Sequence, residues 1–282
     1  MKLRIASSLG FCGGVQRAMQ SFKSLRDSTP PSEPVYVLHE LVHNRTVTEQ
    51  MAACGARFIN MPEELPVGAT CLIGAHGVGP ETERALRERA ARLVDATCPI
   101  VKQVQQAAAQ VSPEEALVLF GVRGHPEAEG ILAHAVTSKR FLVTRVEEIG
   151  VLPELSSPVF LCQTTLGHEQ ADCAFAALRE RFPGARRAGS ICHASSERQA
   201  AVEELVRQVD LLLVIGSPHS SNANRLREIG ERAGVVSYLI EGPEQLPHDL
   251  LQHPVIGIAA GASTPDEQIQ RTVTAVRSRS KL

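Results

Sequence analysis

Short apolar runs recur along the chain, and longer segments with helical periodicity separate them. Several of these runs are continuously apolar, as expected for strands that are buried on both faces of a parallel sheet. The predicted strands cover residues 35–38, 70–74, 116–120, 159–162, 211–215 and 255–260. Segments 80–93, 97–110 and 195–209 have the periodicity of helices. Because strands alternate with helices, the pattern predicts an α/β fold.

Three cysteines lie in similar surroundings, each just before a helix-like segment: Cys12 in LGFCGGVQRAM, Cys98 in DATCPIVKQV and Cys192 in GSICHASSERQAAV. After each cysteine, a polar loop follows first and an apolar strand with a polar end follows later. The loops contain His43, His125 and Ser220, and the strand ends contain His76, Thr164 and Ser263. This weak repeat predicts three modules of about 90 residues, at 1–97, 98–191 and 192–282.

The three repeated cysteines are candidate metal ligands. In open α/β sheets, ligands bind beyond the carboxyl ends of the strands, so three modules facing one centre would direct these cysteines inward. A helix start favours the thiolate form. Three thiolates would hold either zinc or three irons of an iron–sulfur cubane, with one position left open. The chain has no C-x-x-C pair, which argues against a zinc finger. We expect the other four to be simply buried: Cys54, Cys71, Cys162 and Cys173.

Three of these loops and strand ends have the character of anion sites. AHGVGPE, SSNANRL and GASTPDE place small or hydroxyl-bearing residues where helices begin, and free backbone N–H groups there bind anions. His43, His76 and His125 would add donors to a phosphate. In GHPEAEG, Glu127 is a candidate proton donor and Glu129 is the competing carboxylate. The chain has no P-loop and no convincing GxGxxG, so nucleotide binding has no support.

Composition narrows the function classes. The chain has 29 Lys and Arg against 31 Asp and Glu and contains no Trp, which argues against a nucleic-acid partner. Without an apolar run of membrane length or an apolar segment after the basic start, we expect neither a membrane span nor a signal peptide. The odd number of cysteines, seven, argues against a disulfide framework and suits the reducing cytoplasm. The terminal RSRSKL is expected to be a frayed basic tail.

Eight ordered motifs closely resemble those of the LytB/IspH family, the 4-hydroxy-3-methylbut-2-enyl diphosphate reductases. The resemblance runs from Met1 to about Asp266 and rests on GFCGGVQRA, HELVHNRTV, AHGV, DATCPIVKQV, GHPEAEG, QTTLG, SSNANRLRE and GASTPD. It implies three pseudo-symmetric α/β modules with mainly parallel sheets around a central iron–sulfur site. The implied reaction is a two-electron reductive dehydroxylation of that diphosphate to isopentenyl and dimethylallyl diphosphate, the last step of the methylerythritol phosphate pathway.

The resemblance also implies roles for particular residues. Cys12, Cys98 and Cys192 would ligate a [4Fe–4S] cluster whose fourth iron is open to the C4 hydroxyl of the substrate. Glu127 would be the main proton source, with His125 and Thr164 as further catalytic groups. The diphosphate would be held by His43, His76, His125, Ser220, Ser221, Asn222 and Ser263, with Thr164 near the hydroxyl. A ferredoxin or flavodoxin would supply electrons, and we expect a monomer.

The chain departs from the family pattern at a few positions near these motifs. His193 follows Cys192 where an aromatic residue is usual, Glu197 lies in SERQ where the family has TNRQ, and Pro218 and His219 stand where Lys-Asn is common. Two other readings therefore stay open. One is a zinc or thiol hydrolase of a phosphorylated substrate, and the other is a non-catalytic iron–sulfur sensor.

Overall fold

The computed structural model describes residues 1–189 and 191–279, and within them the chain forms three four-stranded sheets. The strands are β1 (Lys2–Ile5), β2 (Val35–Leu38), β3 (Ala56–Ile59), β4 (Thr70–Ile73), β5 (Arg92–Asp95), β6 (Ala116–Phe120), β7 (Arg140–Val143), β8 (Pro158–Cys162), β9 (Arg186–Arg187), β10 (Leu211–Ile215), β11 (Val236–Ile240) and β12 (Val255–Ala260).

Nine α-helices connect these strands in the described part of the chain. They are α1 (Gly13–Asp27), α2 (Arg45–Ala53), α3 (Pro80–Arg89), α4 (Pro99–Ala109), α5 (Pro126–His134), α6 (His168–Arg181), α7 (His193–Leu205), α8 (Ser221–Arg232) and α9 (Asp266–Arg279). Short 3-10 turns cover Pro62–Glu64, Val146–Val151, Val206–Gln208, Pro243–Gln245 and Leu250–Gln252. No helix among the described residues is long and apolar enough to cross a membrane.

The three sheets share one strand order. The first sheet runs β3-β2-β4-β5, the second β7-β6-β8-β9, and the third, read from its other edge, β11-β10-β12-β1. Every neighbouring pair is parallel. The six strands expected from continuous apolar runs are the two central strands of each sheet. The predicted α/β class with three parallel-sheet modules is therefore confirmed.

The N-terminal strand joins the third sheet rather than the first. Lys2 through Ile5 of β1 pair in register with Val255 through Ile258 of β12. The position of β1 is equivalent to that of β5 in the first sheet and β9 in the second, and each of these three strands precedes one of the repeated cysteines. Residues 2–5 were predicted in the module 1–97, whereas their hydrogen bonds place them with the sheet formed by residues after 192. The division of the rest at 97 and 191 stays a prediction.

The chain divides into two compact units. The terminal unit comprises Met1–Val15, His43–Val47 and His193–Leu282, and it contains the third sheet. The central unit comprises Gln16–Val42 and Thr48–Cys192, and it contains the first and second sheets. Of the basic end RSRSKL, 277–279 belong to α9, and 280–282 lie outside the described residues.

The predicted helix over 80–93 is wrong for its last four residues, 90–93. The helix α3 ends at Arg89, and Ala90 is already extended, with φ −78° and ψ 135°. The next residues form the edge strand β5, in which Leu93 pairs with Cys71 of β4. The other two predicted helices are confirmed with shifted ends as α4 and α7, and the 3-10 turn Val206–Gln208 follows α7.

Helices cover both faces of the third sheet, which explains why its central strands are apolar throughout. Leu212 and Val214 pack in one cluster with residues of α7 and α8, whereas Leu211, Leu213 and Ile215 pack in another with residues of α9. The second sheet repeats this layering, with α4 and α5 on one face and α6 on the other. Polar residues are therefore displaced to the loops at the strand ends.

Candidate active site

In the terminal unit, the Cys12 loop and the Ser263 loop are joined by a backbone hydrogen bond. The N–H of Cys12 donates to the carbonyl of Ala262 at 3.2 Å. The two loops meet because β1 and β12 are parallel neighbours, so both follow the carboxyl end of their strand. Cys12 is a free, half-buried thiol directly before α1.

The Ser263 loop is also fixed to the segment that carries His43. The hydroxyl of Ser263 donates to the carbonyl of His43 at 3.2 Å. The neighbouring Asn44 donates from its side-chain amide to Oε1 of Gln268 at 3.0 Å, and its Oδ1 accepts the N–H of Val47 at the start of α2. Two residues that the sequence reading missed, Asn44 and Gln268, thus hold His43 beside Ser263.

The start of α8 is a buried polar site in the same unit. The hydroxyl of Ser220 caps the helix by accepting the N–H of Ala223 at 3.3 Å. The side chain of Asn222 is only 3% exposed, and neither its Oδ1 nor its Nδ2 has a hydrogen-bond partner among the described residues. Ser221 is the first residue of the helix. A buried amide without partners at a helix N-terminus fits an anionic ligand.

The second repeated cysteine lies in the central unit, at the start of α4. Cys98 is the residue before the helix, and its N–H donates to the carbonyl of Ala75 at 3.0 Å. Ala75 immediately precedes His76, just beyond the carboxyl end of β4. Cys98 and His76 are therefore held in neighbouring loops, in the same way as Cys12 and Ser263.

The third cysteine begins a chain of hydrogen bonds to the candidate proton donor. The N–H of Cys192 donates to the carbonyl of Thr164 at 2.9 Å. The N–H of Thr164 in turn donates to Oε1 of Glu127 at 2.7 Å. Glu127 is 1% exposed, and Thr164 is also buried. These bonds bring three residues predicted from separate motifs into one connected group.

His125 completes this group at the start of α5. Its Nδ1 accepts the N–H of Glu127 at 3.1 Å, so the neutral ring carries its hydrogen on Nε2 and presents a donor there. The ring of His76 lies edge-to-face against it, with 5.3 Å between the centroids. The competing carboxylate, Glu129, is exposed on the same helix. The structure therefore favours Glu127 over Glu129 as the buried carboxyl of the site.

Gln163 is a further buried residue that the sequence reading missed. Its Oε1 accepts the N–H of Val122 at 3.0 Å, and its Nε2 donates to Thr165 at 3.2 Å. It thereby ties the QTTLG loop to the loop that leads into His125. The signal was present in the sequence, since a glutamine directly after a fully apolar strand has to be satisfied by nearby backbone groups.

The remaining cysteines are poorly suited to ligate a metal. Burial raises the pKa of the Cys71 thiol to about 12. Burial also raises the pKa of Cys162, although Arg187 beside it opposes the shift. Cys54 and Cys173 are exposed, so the expectation that they are buried is wrong; Cys54 lies just beyond α2, and Cys173 lies on the solvent side of α6.

The departures from the family motifs lie on exposed or locally bonded positions. His193 and Glu197 are one turn apart on α7, and Nδ1 of His193 is 3.5 Å from Oε1 of Glu197. In the α8 loop, the carbonyl of Pro218 accepts the side-chain amide of Asn224 at 2.7 Å, and the N–H of His219 donates to Ser217 at 3.2 Å. None of these bonds involves a candidate ligand.

The fold and the candidate residues define a class: an α/β protein whose cysteines, histidines and a buried carboxyl lie in loops and at helix starts beyond the carboxyl ends of parallel strands. The chain belongs to the LytB protein family, whose model matches residues 3–277. This confirms the resemblance seen in the motifs, and it makes the chain an oxidoreductase.

Named relatives and solved structures agree with the family. The chain is 40% identical over 284 residues to the 4-hydroxy-3-methylbut-2-enyl diphosphate reductase of Zymomonas mobilis, covering 99% of this chain and 83% of the relative. It is 40% identical to the enzyme of the same name from Bordetella pertussis, covering 97% and 85%. The structure of the E-1-hydroxy-2-methyl-but-2-enyl-4-diphosphate reductase of Plasmodium falciparum superposes with a TM-score of 0.91 at 29% identity, covering 97% of this chain and 87% of that one.

Proposed function

We propose that the protein reduces 4-hydroxy-3-methylbut-2-enyl diphosphate to isopentenyl and dimethylallyl diphosphate, the final step of the methylerythritol phosphate pathway. The reaction breaks the C4–O bond, consumes two electrons and two protons and releases water. One observation carries the proposal most strongly, namely the connected group of Cys192, Thr164, Glu127 and His125. Its hydrogen bonds, donated by backbone N–H groups, hold a cysteine before a helix start close to a buried carboxyl and a histidine.

The donor set fits an iron–sulfur cluster. Cys12, Cys98 and Cys192 are half-buried, and each lies directly before the first residue of a helix. Soft thiolate ligands select iron–sulfur clusters and zinc. We assign these three cysteines as the ligands of a [4Fe–4S] cluster with one iron open. When bound, the cluster supplies electrons and a Lewis-acidic iron at the C4 hydroxyl.

The diphosphate is assigned to neutral donors. Asn222 is the strongest support, since leaving a buried polar group unpaired costs about 1–3 kcal/mol that a bound oxyanion would recover. Ser220 and Ser221 lie at the same helix start, and Ser263 lies at the end of β12. His43, His76 and His125 add ring donors, with Nε2–H as the available donor of His125.

Protons are assigned to Glu127 and its neighbours. Because Oε1 of Glu127 accepts the N–H of Thr164, a proton on this carboxyl resides on Oε2. That oxygen can then donate to the leaving hydroxyl or to the allylic carbon skeleton. The Thr164 hydroxyl and the Nε2–H of His125 would orient the departing oxygen. Burial of the group excludes bulk water from the proton path.

The remaining assignments complete the proposal. The electrons come from a small one-electron carrier such as a ferredoxin or flavodoxin. The protein acts as a monomer in the cytoplasm, where its thiols stay reduced. The hydrolase and sensor readings are less favoured, because the relatives that the chain matches are named reductases and because a sensor gives no role to the buried Glu127.

Direct turnover tests the proposal. Protein purified without oxygen is mixed with 4-hydroxy-3-methylbut-2-enyl diphosphate and reduced methyl viologen, and products are identified by mass spectrometry. We expect both five-carbon diphosphates in the complete mixture and neither without the viologen. Release of inorganic phosphate without a reductant would instead support the hydrolase.

A further inference from the structure

A buried arginine of the terminal unit holds the Cys12 loop. Arg198 lies on α7 and is only 4% exposed. Its Nη2 donates to the carbonyl of Gly10 at 2.6 Å, and its Nη1 donates to the carbonyl of Ala194 on the same helix at 2.8 Å. Gly10 is two residues before Cys12. One guanidinium therefore links α7 to the loop that carries a candidate ligand.

The loop is also fixed from a second side, at Gly10 itself. Gly10 has φ +78°, a conformation that favours glycine, and a Cβ at this position would lie 2.7 Å from Oδ1 of Asp266. The N–H of Cys12 bonds to the carbonyl of Ala262. The start of α9 thus limits where the loop can lie, and Arg198 fixes it from the side of α7.

An arginine suits this place better than a lysine would. Its planar fork binds two carbonyl oxygens at once, whereas an ammonium group is a point charge on a flexible stem. Burying a guanidinium costs free energy unless its N–H groups are bonded, and here both Nη atoms donate to backbone carbonyls. Its positive charge is buried and bonded two residues before Cys12, and solvent screens a buried charge less than an exposed one.

We propose that Arg198 is a positioning residue that fixes the Cys12 loop and favours the reduced form of the cluster. The second part, the effect of Arg198 on the cluster, rests on the proposed function. Reduction adds one negative charge to the cluster, so a buried positive charge nearby raises the reduction potential. The fixing of the loop is a property of the chain alone.

The effect of the Arg198 charge is tested with protein that contains the cluster. Arg198→Met removes the charge at similar length, and Arg198→Lys keeps it; Arg207→Met is the matched control, because Arg207 is exposed just beyond α7. Cluster potentials are measured by reductive titration with electron paramagnetic resonance. We expect a more negative potential in Arg198→Met only, with Arg198→Lys near the wild type. An unchanged potential in Arg198→Met overturns the electrostatic part.

The loop is tested with metal-free protein. Alkylation of each cysteine by iodoacetamide is followed by mass spectrometry, with exposed Cys173 as the internal reference. Relative to Cys173, we expect Cys12 to react several-fold faster in both Arg198 variants and unchanged in Arg207→Met. An unchanged Cys12 rate in Arg198→Met overturns the positioning role. If the wild type binds no iron and sulfide, the proposed function fails, while this labelling still decides the link between Arg198 and Cys12.

Discussion

Replacing Glu127 by glutamine removes the acidic group and changes the side chain little otherwise. The Oε1 of Glu127 accepts the N–H of Thr164 at 2.7 Å, and a glutamine Oε1 accepts the same bond. The backbone N–H of residue 127 still donates to His125. The amide has nearly the volume of the carboxyl, so a side chain that is 1% exposed keeps its packing. What is lost is the ability of the side chain to act as an acid.

The expected loss in rate follows from that change. A missing general acid costs about 10²–10⁴ in turnover, which corresponds to about 3–5 kcal/mol in the barrier. Folding stability and iron content stay at the wild-type values, because each hydrogen bond described above is retained. By contrast, Glu127→Ala leaves the buried N–H of Thr164 unpaired, which costs about 1–3 kcal/mol of unfolding free energy.

The assay compares kcat for the wild type, Glu127→Gln and Glu129→Gln under saturating substrate and chemical reductant. Glu129 is the matched control, as it is an exposed carboxylate on the same helix. We expect Glu129→Gln to retain nearly full activity. If Glu127→Gln turned over within about twofold of the wild type with normal iron content, the proton-donor assignment would be refuted.

Three further predictions concern binding, packing and pH. Asn222→Leu raises KM for the diphosphate and, since it removes two unpaired buried atoms, raises the unfolding free energy by about 1–3 kcal/mol in denaturant melts; a lower stability with unchanged KM would contradict this. Gly79→Ala places a Cβ 2.5 Å from the Cβ of Ala133. In denaturant melts, we therefore expect the double variant Gly79→Ala/Ala133→Gly to lose less unfolding free energy than the two single variants lose in sum. Strict additivity would count against this contact. Burial raises the pKa of Asp95, but Lys102 at 2.5 Å and two bonds from Thr97 outweigh this and hold it below the usual 3.8. The stability that this shift contributes is fully present above pH 3.8 and is lost as the pH falls through the lowered pKa. In Asp95→Asn, we therefore expect the free energy of unfolding to fall less steeply with decreasing pH in this range than in the wild type. An equal slope in both proteins would show that Asp95 does not contribute.

The central strands were readable from the sequence and the edge strands were not, for one physical reason. A central strand such as β10, with sequence LLLVI, is covered by helices on both faces, so all its residues are buried. An edge strand such as β5, with sequence RLVD, has exposed ends and no periodic signal, so the predicted helix over 80–93 includes its first two residues. The N-terminal β1 is exposed at three of four positions and finds its place only by pairing with β12.

The sequence predicts those site residues that belong to a short local pattern. It does not predict those that are placed by contacts between distant parts of the chain. Cysteines before helices and hydroxyls at helix starts are visible as short patterns, so Cys98 and Ser220 were found. Arg198 and Gln268 bond to groups 188 and 224 positions away along the chain, and no local pattern indicates them. Apart from the family resemblance, it is burial that separates Glu127 from Glu129, and the orientation of the helix decides burial.

The content of iron and acid-labile sulfide per chain decides whether the protein carries a [4Fe–4S] cluster. The measurement uses wild-type protein purified without oxygen, together with Cys98→Ser and the exposed-cysteine control Cys173→Ser. We expect roughly four iron and four sulfide per chain in the wild type and in Cys173→Ser, and a clear loss of both in Cys98→Ser. One zinc per chain without sulfide, in protein never exposed to oxygen, would contradict the reductase and favour a zinc hydrolase.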